Sequence, residues 1–240
     1  MAEVNLSSVF NNTTNRRSDS VGGADPIDTY SFGLVNSNSD VNISLTGMTA
    51  NADIRLFRDF NRDGIVNGND RQLGSSVRGS NREESINLST DVFGVDVGSY
   101  VVEVDPVGSA STRYDLKVSA SATGDPSLLL PAEREVGALT SRRTFSDSVS
   151  DFDTVDTYRF NVTSGRTFNF SSDTTRWPLD AELRLVRDGN GNREVNTGEV
   201  LAESASVVGG NEAISQFLSP GTYYLQAHSP FAADYTLTMG

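Results

Sequence analysis

The stretch Asp59-Phe60-Asn61-Arg62-Asp63-Gly64-Ile65-Val66-Asn67-Gly68-Asn69-Asp70 places side-chain oxygens at its first, third, fifth, ninth and twelfth positions. That spacing suits a hard cation. Calcium takes about 6–8 oxygen ligands at about 2.3–2.6 Å, and alternate residues of a tightly curved loop point toward one centre. Gly64 permits the sharp turn, Ile65 offers its main-chain carbonyl, and Val66 turns toward the core as an anchor. Asn67 reaches the ion directly or through water, and Asp70 closes the shell. A second stretch, 188–199, repeats the order with Asp188, Asn190, Asn192, Asn196 and Glu199. Glu194 takes the carbonyl position and Val195 the anchor position. Arg193 stands where the first stretch has Gly64. Left-handed backbone costs a non-glycine residue about 1 kcal/mol, so the second loop is expected to bind more weakly or to curve differently.

The order of these residues resembles an EF-hand loop, in a variant similar to that of dockerin modules, where Asp can close the loop. An EF-hand would have a helix on each side. Here both stretches follow an Arg-Leu-x-x-Asp strand, at 55–59 and 184–188, and no flanking helix is legible. The expectation is therefore two Ca2+ loops set in a sheet protein, with the weak affinity of extracellular modules, about 10⁻⁴–10⁻³ M, and no helix pair to open as a switch. The bland alternative is that Asp, Asn and Gly gather because hairpin turns favour them.

Those strands belong to a chain that repeats itself. Asp28-Thr29-Tyr30 answers Asp156-Thr157-Tyr158, "ADIRLFRD" answers "AELRLVRD", and Gly98-Ser99-Tyr100 answers Gly221-Thr222-Tyr223. "STRYDLKVS" likewise answers "AADYTLTM". The equivalents keep nearly constant separation, as a tandem duplication with small insertions requires. Segments such as "TYSFGL", "TYRFNV", "DIRLFRD" and "TYYLQA" alternate apolar with small or polar residues and are rich in Thr, Val, Tyr and Phe, which marks strands. Helical periodicity is confined to short pieces at 67–73 and 128–136. The fold class expected is all-β: two tandem β-sandwich, jelly-roll-like domains at 24–120 and 145–240. Residues 1–23 read as an N-terminal extension and 121–144 as a linker with its Pro and Gly.

The series Asp-x-x-Asp-x-Tyr-x-Phe, Ala-Asp/Glu-Ile/Leu-Arg-Leu-x-x-Asp and Gly-Ser/Thr-Tyr before Tyr-x-Leu resembles the bacterial pre-peptidase C-terminal domain, here in two copies. The resemblance implies a small β-sandwich appended to exported proteases and other exoproteins, non-catalytic, with calcium or matrix binding in some members. It places the chain outside the cytoplasm, secreted or periplasmic, although residues 1–20 lack the apolar run of a secretory signal.

Composition narrows the remaining classes. The chain of 240 residues has a formal charge of −13, 36% hydrophobic residues and no Cys. The charge disfavours nucleic acid and anionic membrane as partners. Disulfides and thiolate metal sites are excluded. No apolar run reaches the about 20 residues of a membrane helix. His228 is the single His, too few for a zinc hydrolase, and no nucleophile elbow accompanies it. It reads as a loop or strand-end residue. No pair of carboxylates stands out as a glycosidase pair. The reading is a non-enzymatic protein with calcium as partner. The alternative is a matrix-, polysaccharide- or peptide-binding module of a secreted hydrolase with structural calcium. Trp177, otherwise a partly buried core residue, and one ring of Tyr223-Tyr224 are its candidate contacts. The acids Asp25, Asp28, Asp151, Asp153 and Asp156, at the entrance of each repeat, read as strand caps and turn formers, with a further calcium site as the sharper reading.

Overall fold

The computed structural model describes residues 3–90, 97–174, 181–205, 211–229 and 231–240. The chain divides into two compact units, Met1–Thr123 and Gly124–Gly240. All regular structure among the described residues is strand, as the alternating patterns require.

Among the described residues the first unit has nine strands: β1 (Glu3–Val9), β2 (Thr13–Val21), β3 (Asp28–Leu34), β4 (Ser39–Thr46), β5 (Ala52–Asp59), β6 (Arg71–Ser76), β7 (Glu84–Ser89), β8 (Gly98–Pro106) and β9 (Thr112–Ala122). They form a five-stranded sheet, β1-β3-β8-β5-β6, and a four-stranded sheet, β2-β9-β4-β7. The second unit has β10 (Arg134–Ala138), β11 (Arg143–Val149), β12 (Val155–Val162), β13 (Arg166–Thr174), β14 (Glu182–Val186), β15 (Val200–Ser204), β16 (Glu212–Leu218), β17 (Gly221–His228) and β18 (Ala233–Met239). Its sheets, β10-β12-β17-β14-β15 and β11-β18-β13-β16, have the same order strand for strand. Alternation fills each core. In β9, Tyr114, Leu116 and Val118 are buried and pack with Tyr30, Ile43 and Leu56. In β18, Tyr235, Leu237 and Met239 pack with Tyr158, Phe170 and Leu185.

Two sequence boundaries need correction. Residues 1–23 are not an extension: β1 pairs parallel with β3, and β2 pairs antiparallel with β9 along its whole length. The segment 121–144 is not purely a linker, because it contains β10 and the start of β11, which play the same two parts in the second unit. The stretch 67–73 turns at 67–70, where the Asp70 amide donates to the Asn67 carbonyl at 3.1 Å, and then becomes strand β6, while 128–136 ends in strand β10. These are edge strands held by one ladder of backbone bonds, so side-chain burial hardly marks them. In β2 only Val21 is fully buried.

Candidate cation-binding loops

Each candidate loop is the connection of an antiparallel hairpin. Residues 60–70 join β5 to β6, and residues 187–199 join β14 to β15. Asp59 is the last residue of β5 and is buried, 3% exposed. Its Oδ1 accepts from the Arg62 amide at 2.6 Å and its Oδ2 from the Gly64 amide at 3.0 Å. Asp63 Oδ1 accepts from the Ile65 amide at 2.9 Å. Asp70 accepts from the amides of Phe60 and Asn67, at 3.3 and 2.9 Å, which ties the loop's end to its start. The remaining groups turn toward one another. Asn61 and Asn67 donate their side-chain amides to Asp63 Oδ2 at 2.6 and 3.0 Å, and Asn67 also donates to the Ile65 carbonyl at 2.9 Å. Asn61, Asp63, Asn67 and the Ile65 carbonyl are thus linked to one another, while Asp59 and Asp70 bind the loop's own backbone amides.

The second loop repeats this pattern. Asp188 Oδ2 accepts from the Arg193 amide at 2.9 Å. Asn190 and Asn192 accept from the amides two residues on, at 2.8 and 2.9 Å. Glu199 accepts from the amides of Gly189 and Asn196, at 2.9 and 2.8 Å. Asn190 and Asn192 both donate to Asn196 Oδ1, at 2.7 and 2.8 Å. Asp188 Oδ1 is buried and has no hydrogen-bond partner among the described residues. Glu194 is buried, and Val195 packs against Leu130, Val186 and Tyr224.

Arg193 does not make the second loop curve differently. Both loops have left-handed residues at their fourth and sixth positions, and the second has one more at Gly198 (φ 85°). Those at the shared positions are Arg62 (φ 59°) and Gly64 (φ 73°) in the first, Gly191 (φ 72°) and Arg193 (φ 62°) in the second. Each loop therefore carries one glycine and one arginine there, in opposite order, and the backbone cost is equal. The signal was legible as Arg62-Asp63-Gly64 against Gly191-Asn192-Arg193. The arginines differ in surroundings. Arg62 is exposed. Arg193 donates from Nε to the Leu130 carbonyl at 2.9 Å and lies over the Tyr224 ring, 5.3 Å from its centroid.

That contact belongs to a short strap. Leu130 N donates to the Arg193 carbonyl at 3.1 Å and Val195 N to the Leu128 carbonyl at 2.8 Å. Beneath it Gln226 Nε2 donates to the carbonyls of Ser127 and Leu129, at 3.1 and 3.0 Å, and Arg184 donates to Gln226 Oε1. Tyr224 is therefore only 3% exposed, and Tyr223 is in the core, so neither ring is free for a partner. The expected alternation fails because the strap covers the outer face. Trp177 lies outside the described residues.

The entrance acids divide by depth. Asp25 and Asp153 close two-residue turns with Gly22 and Ser150 through backbone bonds of 2.7–3.2 Å, and Asp151 lies inside the second turn. Asp28 and Asp156 instead start repeated side-chain chains. Tyr114 donates to Asp28 and contacts the Tyr30 hydroxyl at 2.5 Å. Tyr235 donates to Asp156 at 2.5 Å and contacts the Tyr158 hydroxyl at 2.8 Å. Burial raises both carboxyls above the usual range; neighbouring Glu133 adds to this at Asp156. His228 ends β17. Burial, with help from Arg184, lowers its pKa to about 3, so its 3.8 Å approach to Glu182 is not an ion pair at neutral pH.

Among the described residues, no three His, Cys, Asp or Glu side chains gather to hold a metal by themselves. Both loops offer a mixture of carboxylate, carboxamide and main-chain carbonyl oxygens. No helix among the described residues is long and apolar enough to cross a membrane.

The molecule is thus a pair of β-sandwich units, each with an Asx-rich hairpin loop. A model of the bacterial pre-peptidase C-terminal domain matches residues 154–229, within the second unit. The chain is similar to the solved pre-peptidase C-terminal domain of a collagenase from Bacillus anthracis. The identity is 18%, the match covers 45% of this chain and 93% of that one, and the TM-score is 0.37. It is also similar to a conserved protein of unknown function from Pseudomonas aeruginosa PAO1, at 9% identity, 94% and 80% coverage and a TM-score of 0.24. Comparison with curated proteins gave no match.

Proposed function

We propose that the chain is a non-catalytic accessory region of an exported bacterial protein, and that its two hairpin loops bind Ca2+ for stability. The observation that carries this reading is the loop pattern found twice. In both loops side-chain oxygens cap the loop's own amides at matching positions. Asp188 Oδ1, buried without a hydrogen-bond partner, fits a cation, since a lone buried carboxylate oxygen is costly. Asp59, Asn61, Asp63, Asn67, Asp70 and the Ile65 carbonyl would hold one ion. Asp188, Asn190, Asn192, Asn196, Glu199 and the Glu194 carbonyl would hold the other. A carboxamide can turn either its nitrogen to a carboxylate or its oxygen to a cation. Bound calcium would neutralise crowded acids and add native-state stability.

Calorimetric titration of the full chain with calcium tests this, alongside Asp59→Ala, Asp188→Ala and the double variant. Two sites in the parent, one in each single variant and none in the double are expected. A titration without heat in the parent, or with unchanged stoichiometry in the variants, refutes the assignment.

A further inference from the structure

The first unit has a cleft beside its hairpin loop. It has a volume of about 520 Å³ and lies beside the loop 60–70, over β1, β3 and β8. That volume is typical of small-molecule sites, which span about 300–1,000 Å³. Four serines line it: Ser7 and Ser8 from β1, Ser31 from β3 and Ser99 from β8. Arg62 and Asp63 form its wall on the loop side. Neither the four hydroxyls nor the Arg62 guanidinium forms a hydrogen bond with another described residue.

The duplicated chain supplies an internal control. Register on the shared Asp-Thr-Tyr motif equates Ser31 with Arg159 and Gly33 with Asn161. In the second unit Arg159 pairs with Glu135 at 2.6 Å, and Asn161 accepts from Thr222 at 2.8 Å. Arg159 and Asn161, each with a side-chain partner, stand where the first unit has Ser31 and Gly33. The β1 bulge points the same way. Ser7 has φ 68°, where the corresponding bulge of β10 has Gly137 at φ 73°. Asn5 Oδ1 caps the Ser7 amide at 2.6 Å and holds the bulge in place. A strained serine, kept where glycine would be relaxed, presents its hydroxyl to the cleft. Strain of this kind gathers at functional sites.

We propose that this cleft is a saccharide-binding site. Serine hydroxyls both donate and accept, as sugar hydroxyls do, and the exposed Arg62 guanidinium adds a charged donor. The one apolar side chain in the lining, Phe32, belongs to the buried core. Apolar ligands and peptide side chains therefore gain little. The proposal does not rest on either loop holding an ion.

The test is a two-dimensional NMR titration of the full chain with cellotriose, mannotriose, chitotriose and trigalacturonate, in calcium and again in chelator. A Gly-Ser-Gly peptide is the control. At least one neutral trisaccharide is expected to bind with Kd below about 1 mM, shifting amides at 7–8, 31–33 and 99. Ser31→Arg and Gly33→Asn import the second unit's own residues. Each is expected to weaken binding at least about tenfold, by filling the cleft and removing hydrogen bonds, with an unchanged melting curve. The proposal is overturned if no trisaccharide binds at 10-fold that concentration, if both variants bind like the parent, or if only the peptide binds. Loss of calcium binding alone leaves these outcomes unchanged.

Discussion

Replacing Asp59 by Asn separates what the first loop contributes by itself from what an ion adds. The Asp59 carboxylate accepts two backbone hydrogen bonds, from Arg62 at 2.6 Å and Gly64 at 3.0 Å. An asparagine keeps one acceptor and turns an amide group, a donor, toward the other N–H. A hydrogen bond to a charged group contributes about 1.5–3 kcal/mol, so Asp59→Asn is expected to cost about that much in chelator. With calcium at a hundredfold excess over Kd the parent gains a further ~2.7 kcal/mol, which the variant forgoes. The cost in calcium should therefore be about 4–6 kcal/mol, the sum of the two effects. Urea denaturation of the full chain, followed by far-ultraviolet circular dichroism, measures both. Equal costs in calcium and chelator would refute ion binding at this loop. A negligible cost in chelator would refute the hydrogen-bond argument itself.

Arg62→Gly should stabilise the chain by up to about 1 kcal/mol, because it relieves left-handed backbone at an exposed side chain. Arg193→Gly should destabilise it despite the same relief, because it removes the bond to Leu130 and the contact with Tyr224; thermal melts giving the same sign for both would contradict this. Asp156→Asn tests the buried acid. Its carboxyl is raised by burial, so its stabilising contribution is complete below the unfolded value near 4 and is lost as pH rises through the native pKa. The variant should match the parent near pH 4 and melt higher at pH 8–9, the Tyr235 hydroxyl still having an oxygen to meet. His228→Gln should flatten the loss of stability as pH falls from about 6.5 toward 3, because the parent's histidine resists protonation only when folded.

The central strands were legible because each buries one face, as at Tyr114-Leu116-Val118, and duplication showed every motif twice. Edge strands β1, β2 and β10 were not, because their contribution is one ladder of backbone bonds, and that leaves little hydrophobic pattern. The loops were legible as polar connections at equivalent places in both repeats, including the two Arg/Gly sites in hindsight. Tyr224 was misread because period-two alternation says which face a residue occupies, not whether chain from elsewhere covers that face. The serine cleft was invisible for a related reason. Its residues are small and unremarkable, and only the register against Arg159 and Asn161 reveals what they leave open.

The strap of residues 127–130 has a mechanical consequence. Polypeptide entering the second unit meets the loop through the Leu130–Arg193 and Val195–Leu128 bonds before it reaches β10. A tensile load on that entry would be shared between the Gln226 and Arg184 bonds to Ser127 and Leu129 and those two bonds, and so would reach the hairpin that frames the candidate ion. Whatever stiffens the hairpin would raise the force at which the strap peels.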